Sequence, residues 1–345
     1  MGSLHCDLDC TDPKAWCNYI HSHPLASSYH RYGWRDVVEK SFKHRCYYIT
    51  VKNNEQAIVG VLPLVFMQSR LFGRFLVSLP FFNYGGLLAD NIESCQALLG
   101  AANSLKSQLN AEYVELRHRE EFALGLSGKA HKVAMILGLE KTADDQWQAF
   151  NAKLRNQIRK SEKSNFHVRI GSQELLDDFY AVFARNMRDL GTPVYAKSFF
   201  GEVMKTFADS CAIIAVYSGE KAVASGFLSW FRETVEIPWA SSLREFNSLC
   251  PNNLLYWTAL KFSIEKGCRF FDFGRSSPGE GTYRFKAQWG AKPLQLYWQY
   301  LLTANEAMPE LNVKNPKYQR AINIWKRMPV FLTRLIGPNI VRNIP

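Results

Sequence analysis

Apolar and polar positions along the chain predict one order of strands and helices that occurs twice. In each copy a β-rich run is followed by a turn, a long apolar strand, a returning strand, a helix and a final strand. The predicted elements fall at residues 47–51, 57–66, 75–79, 92–109 and 113–116, and again at 212–216, 222–231, 234–240, 253–266 and 270–273. Because an internal repeat constrains a fold more than any single motif does, we predict one mixed α/β sheet unit per copy.

The two copies differ after their last strand. An arginine follows in both, Arg117 in the first and Arg275 in the second, but the second continues as a glycine-containing loop and an aromatic, cationic segment within residues 270–293, FFDFGRSSPGEGTYRFKAQWGAKP. A buried strand that delivers such a loop is a common way to build a site, so we predict that the second copy is the active unit. Asp272 lies on this strand, and alternation leaves open whether it points inward or outward.

Two further helical regions set the predicted domain boundaries. Residues 154–164, LRNQIRKSEKS, read as a basic helix with an apolar side, and residues 315–328 as a helix within a basic and apolar C-terminal segment. We therefore predict a first unit at residues 1–150, a second unit at 151–305 that begins with the basic helix, and a helical tail at 306–345.

Composition limits the kind of binding partner and the cellular compartment that we expect for the protein. The net charge of +11 suggests an anionic partner, and the alternative is an ordinary enzyme with a basic surface. The aromatic content of 14% argues against a disordered chain. No signal segment opens the sequence, and no apolar run approaches the roughly 20 residues that span a bilayer. We expect a cytoplasmic protein, either free or at the inner face of the membrane through its basic tail. The eight cysteines form no CxxC pair and complete no ligand set, so no metal site is predicted.

The sequence lacks the motifs of several catalytic classes. It contains no G-x-S-x-G elbow, no Walker A sequence and no G-x-G-x-x-G after a strand. A direct transfer, in which an acceptor attacks an acyl donor without a covalent enzyme intermediate, needs positioned substrates and a donor to the developing oxyanion rather than a triad. The repeated unit resembles the GNAT acyltransferase fold, which implies an α/β protein of two tandem units, each a mixed twisted sheet flanked by helices. That fold's coenzyme A signature, R/Q-x-x-G-x-G/A, has only an incomplete match at residues 70–75, in a predicted hairpin.

A longer resemblance covers nearly the whole chain. Four segments resemble the Fem family of aminoacyl-tRNA-dependent transferases, and most of all the Fem-related proteins encoded with exosortase and exopolysaccharide systems. They are NYGG at residues 83–86, LRNQIRKSEK at 154–163, FDFGRSSPGEGTYRFKAQWGA at 271–291 and IWKRMPVFLTRLIGPNIVR at 324–342. The chain departs from Fem enzymes that carry a long coiled-coil arm, because residues 150–210 contain only short helices. The donor is left open between aminoacyl-tRNA and acyl-CoA, and no permanently bound cofactor is expected.

The resemblance implies a transfer site at Phe285 and Lys286. The ammonium of Lys286 then stabilises an oxyanion or contacts an acceptor phosphate, and the alternative is a solvated surface lysine. No general base can be assigned. The resemblance also implies substrate-binding roles for residues of three segments: Asn83, Tyr84, Arg155, Arg159, Lys160, Arg275, Tyr283 and Arg284. For the three basic-helix residues among them, a solvated helix face is the alternative.

Our leading hypothesis is an acyltransferase that moves an aminoacyl or acyl group onto an amine or hydroxyl of a cell-envelope or exopolysaccharide precursor, held in a cleft between the two units. The acceptor is expected to be anionic or phosphorylated. The alternative is a non-catalytic module that binds RNA or another anionic polymer through its positive charge. The sequence identifies neither the donor, the acceptor nor the oligomeric state.

Overall fold

The computed structural model describes residues 4–69, 73–122, 125–303, 308–309 and 316–344. The chain divides into two compact units: Met1–Lys132, Gln295–Leu311 and Arg342–Pro345 make up unit 1, and Val133–Leu294 and Asn312–Val341 make up unit 2. These limits differ from the boundaries expected at residues 150 and 305. Residues 70–72 of the incomplete coenzyme A signature lie outside the described residues, as does most of the segment 304–315.

Unit 1 is a sheet with helices packed against it. Its helices are α1 (Pro13–Ser22), α2 (Trp34–Phe42) and α3 (Ile92–Gln108), and its strands are β1 (His5–Asp7), β2 (Arg45–Lys52), β3 (Ile58–Ser69), β4 (Gly73–Val77), β5 (Leu88–Ala89) and β6 (Tyr113–His118). The strand order is β1-β2-β3-β4-β6, with β5 paired to β3. Neighbours are antiparallel except β4 and β6, which run parallel because α3 crosses between them.

Unit 2 repeats this plan with more helices. Its strands are β7 (Ser127–Gly138, which begins in unit 1), β8 (Phe166–Gly171), β9 (Cys211–Ser218), β10 (Lys221–Phe231), β11 (Thr234–Ser242), β12 (Phe270–Ser276) and β13 (Lys292–Leu301, which ends in unit 1). Its helices are α4 (Ala143–Ala149), α5 (Ala152–Glu162), α6 (Leu176–Leu190), α7 (Lys197–Thr206), α8 (Pro251–Glu265), α9 (Gly281–Ala287), α10 (Pro316–Arg327) and α11 (Val330–Val341). The strand order is β7-β12-β11-β10-β9-β8.

The predicted repeat is confirmed element by element. The order β2-β3-β4-α3-β6 in unit 1 returns as β9-β10-β11-α8-β12 in unit 2, and in both copies only the last strand pair is parallel. Helix α8 is apolar on nearly all sides because it is buried as the crossover between β11 and β12. Helices α10 and α11 lie in the predicted C-terminal tail and pack against α6 within unit 2.

Two predictions about local structure were incomplete. Strands β7 and β8 were not predicted, although the second half of β7 pairs with β12 and completes the sheet of unit 2. The segment that carries Lys286 was predicted as a loop and is the helix α9. Among the described residues, no helix has both the length and the apolar character required to cross a bilayer.

Candidate active site

The parallel strands of unit 2 separate after a short contact. Strands β11 and β12 pair at only three positions, the last of which joins Glu236 to Asp272. Both strands continue beyond this pair, β11 to Ser242 and β12 to Ser276. Backbone groups of one strand therefore no longer meet those of the other past Asp272, and the sheet opens between them.

A bulge turns the backbone of β12 at this opening. The register between β12 and β7 shifts between Asp272 and Arg275, and Gly274 within the shift has a φ of +77°, in the left-handed region that favours glycine. The carboxylate of Asp272 accepts a hydrogen bond of 2.7 Å from the N–H of Gly274. The side chain of the buried acid thus fixes the bulge that follows it.

Lys286 reaches back from α9 to this bulge. Its Nζ atom donates to the carbonyl oxygen of Gly274 at 3.0 Å and to that of Arg275 at 2.9 Å. The residue is 8% exposed, so the alternative of a solvated surface lysine is wrong. An ammonium group has three N–H donors, and these two carbonyls accept two of them.

Burial and neighbouring charged groups shift the pKa of Lys286. Burial lowers the pKa of Lys286 to about 8, while the nearby carboxylates of Asp272 and Glu236 oppose this shift and Arg275 adds to it. Asp272 is fully buried and Glu236 is 4% exposed. A lysine whose pKa lies this close to neutrality is typical of a functional site.

Glu236 is a site residue that sequence reasoning missed. It is one charged residue in the otherwise largely apolar strand TVEIPWASS, and it lies directly opposite Asp272 in the parallel register. A buried acid in such a strand is the available signal, because carboxylates are seldom buried without a partner. The position of Asp272, left open by alternation, is inward.

The remaining predicted residues of this segment surround Lys286 in different ways. Phe285 packs edge-on against Tyr256 at 5.2 Å between ring centroids and also contacts Trp289, so it anchors α9 to the core of unit 2. Tyr283 is half-buried against the same core, Arg275 is half-buried, and Arg284 is exposed. A catalytic role for Phe285 stays a prediction.

Two polar groups beside the site lack hydrogen-bond partners within the described residues. They are the hydroxyl of Ser276, at the end of β12, and the indole N–H of Trp289, two residues after α9, and both side chains are buried. Buried polar groups in proteins are nearly always paired. Ser276 directly follows a carbonyl that binds Lys286, so its hydroxyl is a further candidate contact for substrate.

The predicted basic helix is confirmed as α5. Asn151 caps it by accepting from the N–H of Leu154 at 2.9 Å, and its amide also donates to the carbonyl of Gln288 just after α9. Leu154 is buried on the inner side, while the basic side chains face outward. Arg155 contacts Gln148, Arg159 lies over the ring of Trp147, and Lys160 is exposed. Their role in binding RNA or phosphate stays a prediction.

In unit 1, Arg117 near the end of β6 is held by neighbouring groups and lines a small cavity. Arg117, 1% exposed, donates from Nε to Glu115 at 2.7 Å and from a terminal nitrogen to the carbonyl of Phe82 at 3.2 Å, and its guanidinium lies 4.4 Å from the ring centroid of Trp298. An arginine held by a carboxylate, a carbonyl and an aromatic ring is a structural group. The choice of the second unit as the active one stays a prediction.

The predicted NYGG segment wraps onto the same strand of unit 1. The N–H groups of Gly85 and Gly86 both donate to the carbonyl of Arg117, at 3.0 and 2.8 Å. Tyr84 is buried under the guanidinium of Arg119 at 5.1 Å, and Asn83 is half-buried. A role for Asn83 and Tyr84 in binding substrate stays a prediction.

The residues present do not form a cradle for the pyrophosphate of coenzyme A at either junction between a parallel strand and its crossover helix. Such a cradle needs backbone N–H groups of a glycine-rich loop and helix start. In unit 1 the N–H groups of Gly85 and Gly86 already donate hydrogen bonds to the carbonyl oxygen of Arg117. In unit 2 helix α8 begins at Pro251, which has no N–H, after a loop without glycine.

Comparison with known proteins identifies the fold. Residues 148–287 match the family model described as an acetyltransferase (GNAT) domain. This part of the chain has the GNAT fold. The matched residues end one position after Lys286. They therefore include helix α9 and strands β11 and β12, which separate past Asp272.

Solved structures confirm the tandem arrangement. A structure of FemX is similar with a TM-score of 0.68 at 16% identity, over 86% of this chain and 97% of that one. The structure of L-PGS from Bacillus licheniformis is similar with a TM-score of 0.56 at 15% identity, over 95% of this chain and 98% of that one. A tandem GNAT protein from the clavulanic acid biosynthesis pathway is similar with a TM-score of 0.56 at 11% identity, over 88% of this chain and 100% of that one. No curated protein sequence matches the chain. The predicted fold of two tandem GNAT-like units is confirmed.

No group of three or more His, Cys, Asp or Glu side chains suited to hold a metal ion occurs in the described part of the chain. The polar groups at the opening of unit 2 include a lysine, two carboxylates, backbone carbonyls and a hydroxyl. These groups can form hydrogen bonds and stabilise charge.

Proposed function

We propose that the chain is an acyltransferase that moves an acyl or aminoacyl group from an activated ester to an amine or hydroxyl of a cell-envelope or exopolysaccharide precursor. The observation that carries this proposal is the position of Lys286 at the opening between the parallel strands of a GNAT-fold unit. In such a reaction the acceptor atom bonds to the donor's carbonyl carbon, the ester bond of that carbon breaks, and the acceptor's proton leaves with the ester oxygen.

Lys286 is the proposed donor to the oxyanion formed on the way. Two of its three N–H groups go to the carbonyls of Gly274 and Arg275, which fixes the direction of the third. A cation held in a buried site stabilises developing negative charge without reorganising at the moment of reaction. The Asp272 and Glu236 carboxylates support this role because they favour its protonated form.

An aminoacyl ester, such as aminoacyl-tRNA, is the donor that the contacts favour over acyl-CoA. Neither strand–helix junction offers the glycine N–H groups that would hold a coenzyme A pyrophosphate. The net charge of +11 and the outward basic side chains of α5 suit an RNA donor and a phosphorylated acceptor alike. The expected place of action is the cytoplasm or the inner face of the membrane.

A donor screen tests this function. The purified chain is heated in the presence of acetyl-CoA, a mixture of aminoacyl-tRNAs, uncharged tRNA and nucleotide-sugar precursors, since a ligand of the folded state raises the melting temperature. Labelled aminoacyl-tRNA is then incubated with the precursors, and transfer of label to one of them is the expected result. Binding of any polyanion with a steep salt dependence, and no transfer from any donor, would favour the non-catalytic binding module instead.

A further inference from the structure

The last two helices of unit 2 present an apolar and basic surface. Five of the ten exposed large apolar side chains in the described chain fall between residues 324 and 340. Ile324 is 65% exposed, Phe331 67% and Leu335 71%. Large apolar groups that gather in this way on a folded surface mark an interaction site.

These side chains project outward because the opposite sides of both helices are already packed. On α11 the buried positions are Thr333, Gly337 and Val341, and a Cβ on Gly337 would lie 2.9 Å from the backbone nitrogen of Val194. On α10, Trp325 is buried and Ile322 closely approaches Gly191. The helices are therefore seated on unit 2, and their outer sides remain exposed.

On α10, two cations lie on the same outer side as an apolar residue. On α10, Arg320, Ile324 and Arg327 follow one another at helical spacings of four and three, and all three are exposed. On α11, Phe331 and Leu335 lie four apart, opposite the buried positions. We call these five residues, Arg320, Ile324, Arg327, Phe331 and Leu335, the C-terminal face.

The charge of this region is of one sign. From residue 311 to the end, the sequence contains seven lysines and arginines and no aspartate or glutamate. Helices that lie in the plane of a membrane surface carry large apolar groups beside lysine and arginine, because the apolar groups enter the acyl boundary while the cations meet anionic headgroups. A protein partner carries charges of both signs, so binding one would not require a segment without acidic residues. An anionic membrane surface therefore fits this segment better than a protein partner does.

We propose that the C-terminal face docks the protein onto an anionic phospholipid bilayer. Phe331, Leu335 and Ile324 enter the interface between headgroups and acyl chains, and Arg320 and Arg327 bind headgroup phosphates. Arg334 is not part of this contact, because its guanidinium lies over the ring of Tyr180 at 4.9 Å. The docking is independent of which acyl group is transferred.

Vesicle flotation of the full chain tests the proposal. We expect the protein to float with vesicles of phosphatidylcholine and phosphatidylglycerol, and to float much less with phosphatidylcholine alone or at high salt. The double variant Phe331→Ser/Leu335→Ser is expected to lose at least about tenfold in partition to anionic vesicles, because two apolar side chains no longer enter the interface. The control variant Ile92→Ser/Ile170→Ser removes two exposed apolar residues elsewhere and is expected to bind like the wild type.

A second variant covers the case in which the double variant fails to fold, as judged by circular dichroism. Arg320→Gln/Arg327→Gln keeps every apolar residue and is expected to weaken binding to anionic vesicles by about tenfold. Equal binding of wild type and both variants, or no flotation of the wild type with anionic vesicles, would overturn the proposal. So would a dimer in sedimentation that becomes a monomer on Phe331→Ser/Leu335→Ser without vesicle binding, because the face would then join two copies of the chain.

Discussion

The Nζ atom of Lys286 lies 3.0 Å from the carbonyl oxygen of Gly274, the residue at which β12 bulges. The cation of the proposed site is thus held by strand backbone rather than by a side chain. The direction of that carbonyl depends on a left-handed conformation, which an L-residue adopts only with strain. The position of the lysine is therefore linked to the glycine.

Gly274→Ala tests this link. We expect a loss of about 1–2 kcal/mol in the free energy of unfolding, since alanine disfavours a φ of +77°. We also expect a drop in kcat, because the shifted carbonyl no longer orients Lys286. Chemical denaturation and the transfer assay measure the two effects. Gly219→Ala is the control, since Gly219 has a φ of +54° in an open turn: it should lose similar stability and keep its kcat. Equal kcat in both variants would contradict the link.

Lys286 also makes stability depend on pH. Its pKa of about 8 in the fold lies below the 10.5 of an unperturbed lysine, so between these values the unfolded chain binds more protons than the folded one. The contribution of Lys286 to the free energy of unfolding should therefore rise with pH in this window, by about 3 kcal/mol for a shift of this size. The measurement is urea denaturation from pH 7 to 10.5 of wild type and Lys286→Met.

The difference between the two proteins isolates the lysine from other titrating groups. We expect the stability of the wild type relative to Lys286→Met to increase across the window. A difference that does not vary with pH would show that Lys286 titrates in the fold as it does in the unfolded chain.

The repeat and the site differ in how far the sequence predicts them. Alternation and helical spacing are local signals, so both copies of the strand–helix order could be predicted. The pairing of Glu236 with Asp272 depends on the register of two strands joined by a long crossover, which no local pattern encodes. Helix α9 has only seven residues and begins at Gly281, so propensity predicts a loop. It is helical because Phe285 and Tyr283 pack against the core.

Arg117→Leu tests whether the arginine of unit 1 is structural. It would leave the carboxylate of Glu115 buried without its cation, and breaking a buried pair in this way costs about 3–5 kcal/mol. Arg269→Leu is the matched control, because its pair with Glu233 is exposed and is expected to contribute at most about 1 kcal/mol. Thermal and chemical denaturation of both variants measure the loss in the free energy of unfolding. Equal losses for the two variants would disprove the structural role of Arg117.

Gly86→Ala tests the close packing of the NYGG segment. A Cβ at this position would lie 1.9 Å from the ring of His118, which is itself buried, so we expect a loss of about 1–3 kcal/mol. Gly100→Ala is the control: it lies within α3 with open space around it and should gain about 0.5–1 kcal/mol from helix propensity. A neutral Gly86→Ala would mean that His118 can move aside at no cost.

The most direct test of the central claim is the rate of acyl transfer by Lys286→Met, measured in single turnover with the donor and acceptor found in the screen. If Lys286 stabilises the oxyanion, the rate constant falls by about 100-fold or more while the affinity for the donor changes little. Lys292→Met, which removes an exposed lysine at the start of β13, is expected to react like the wild type. A Lys286→Met protein that is folded, binds donor and transfers at the wild-type rate would contradict the account.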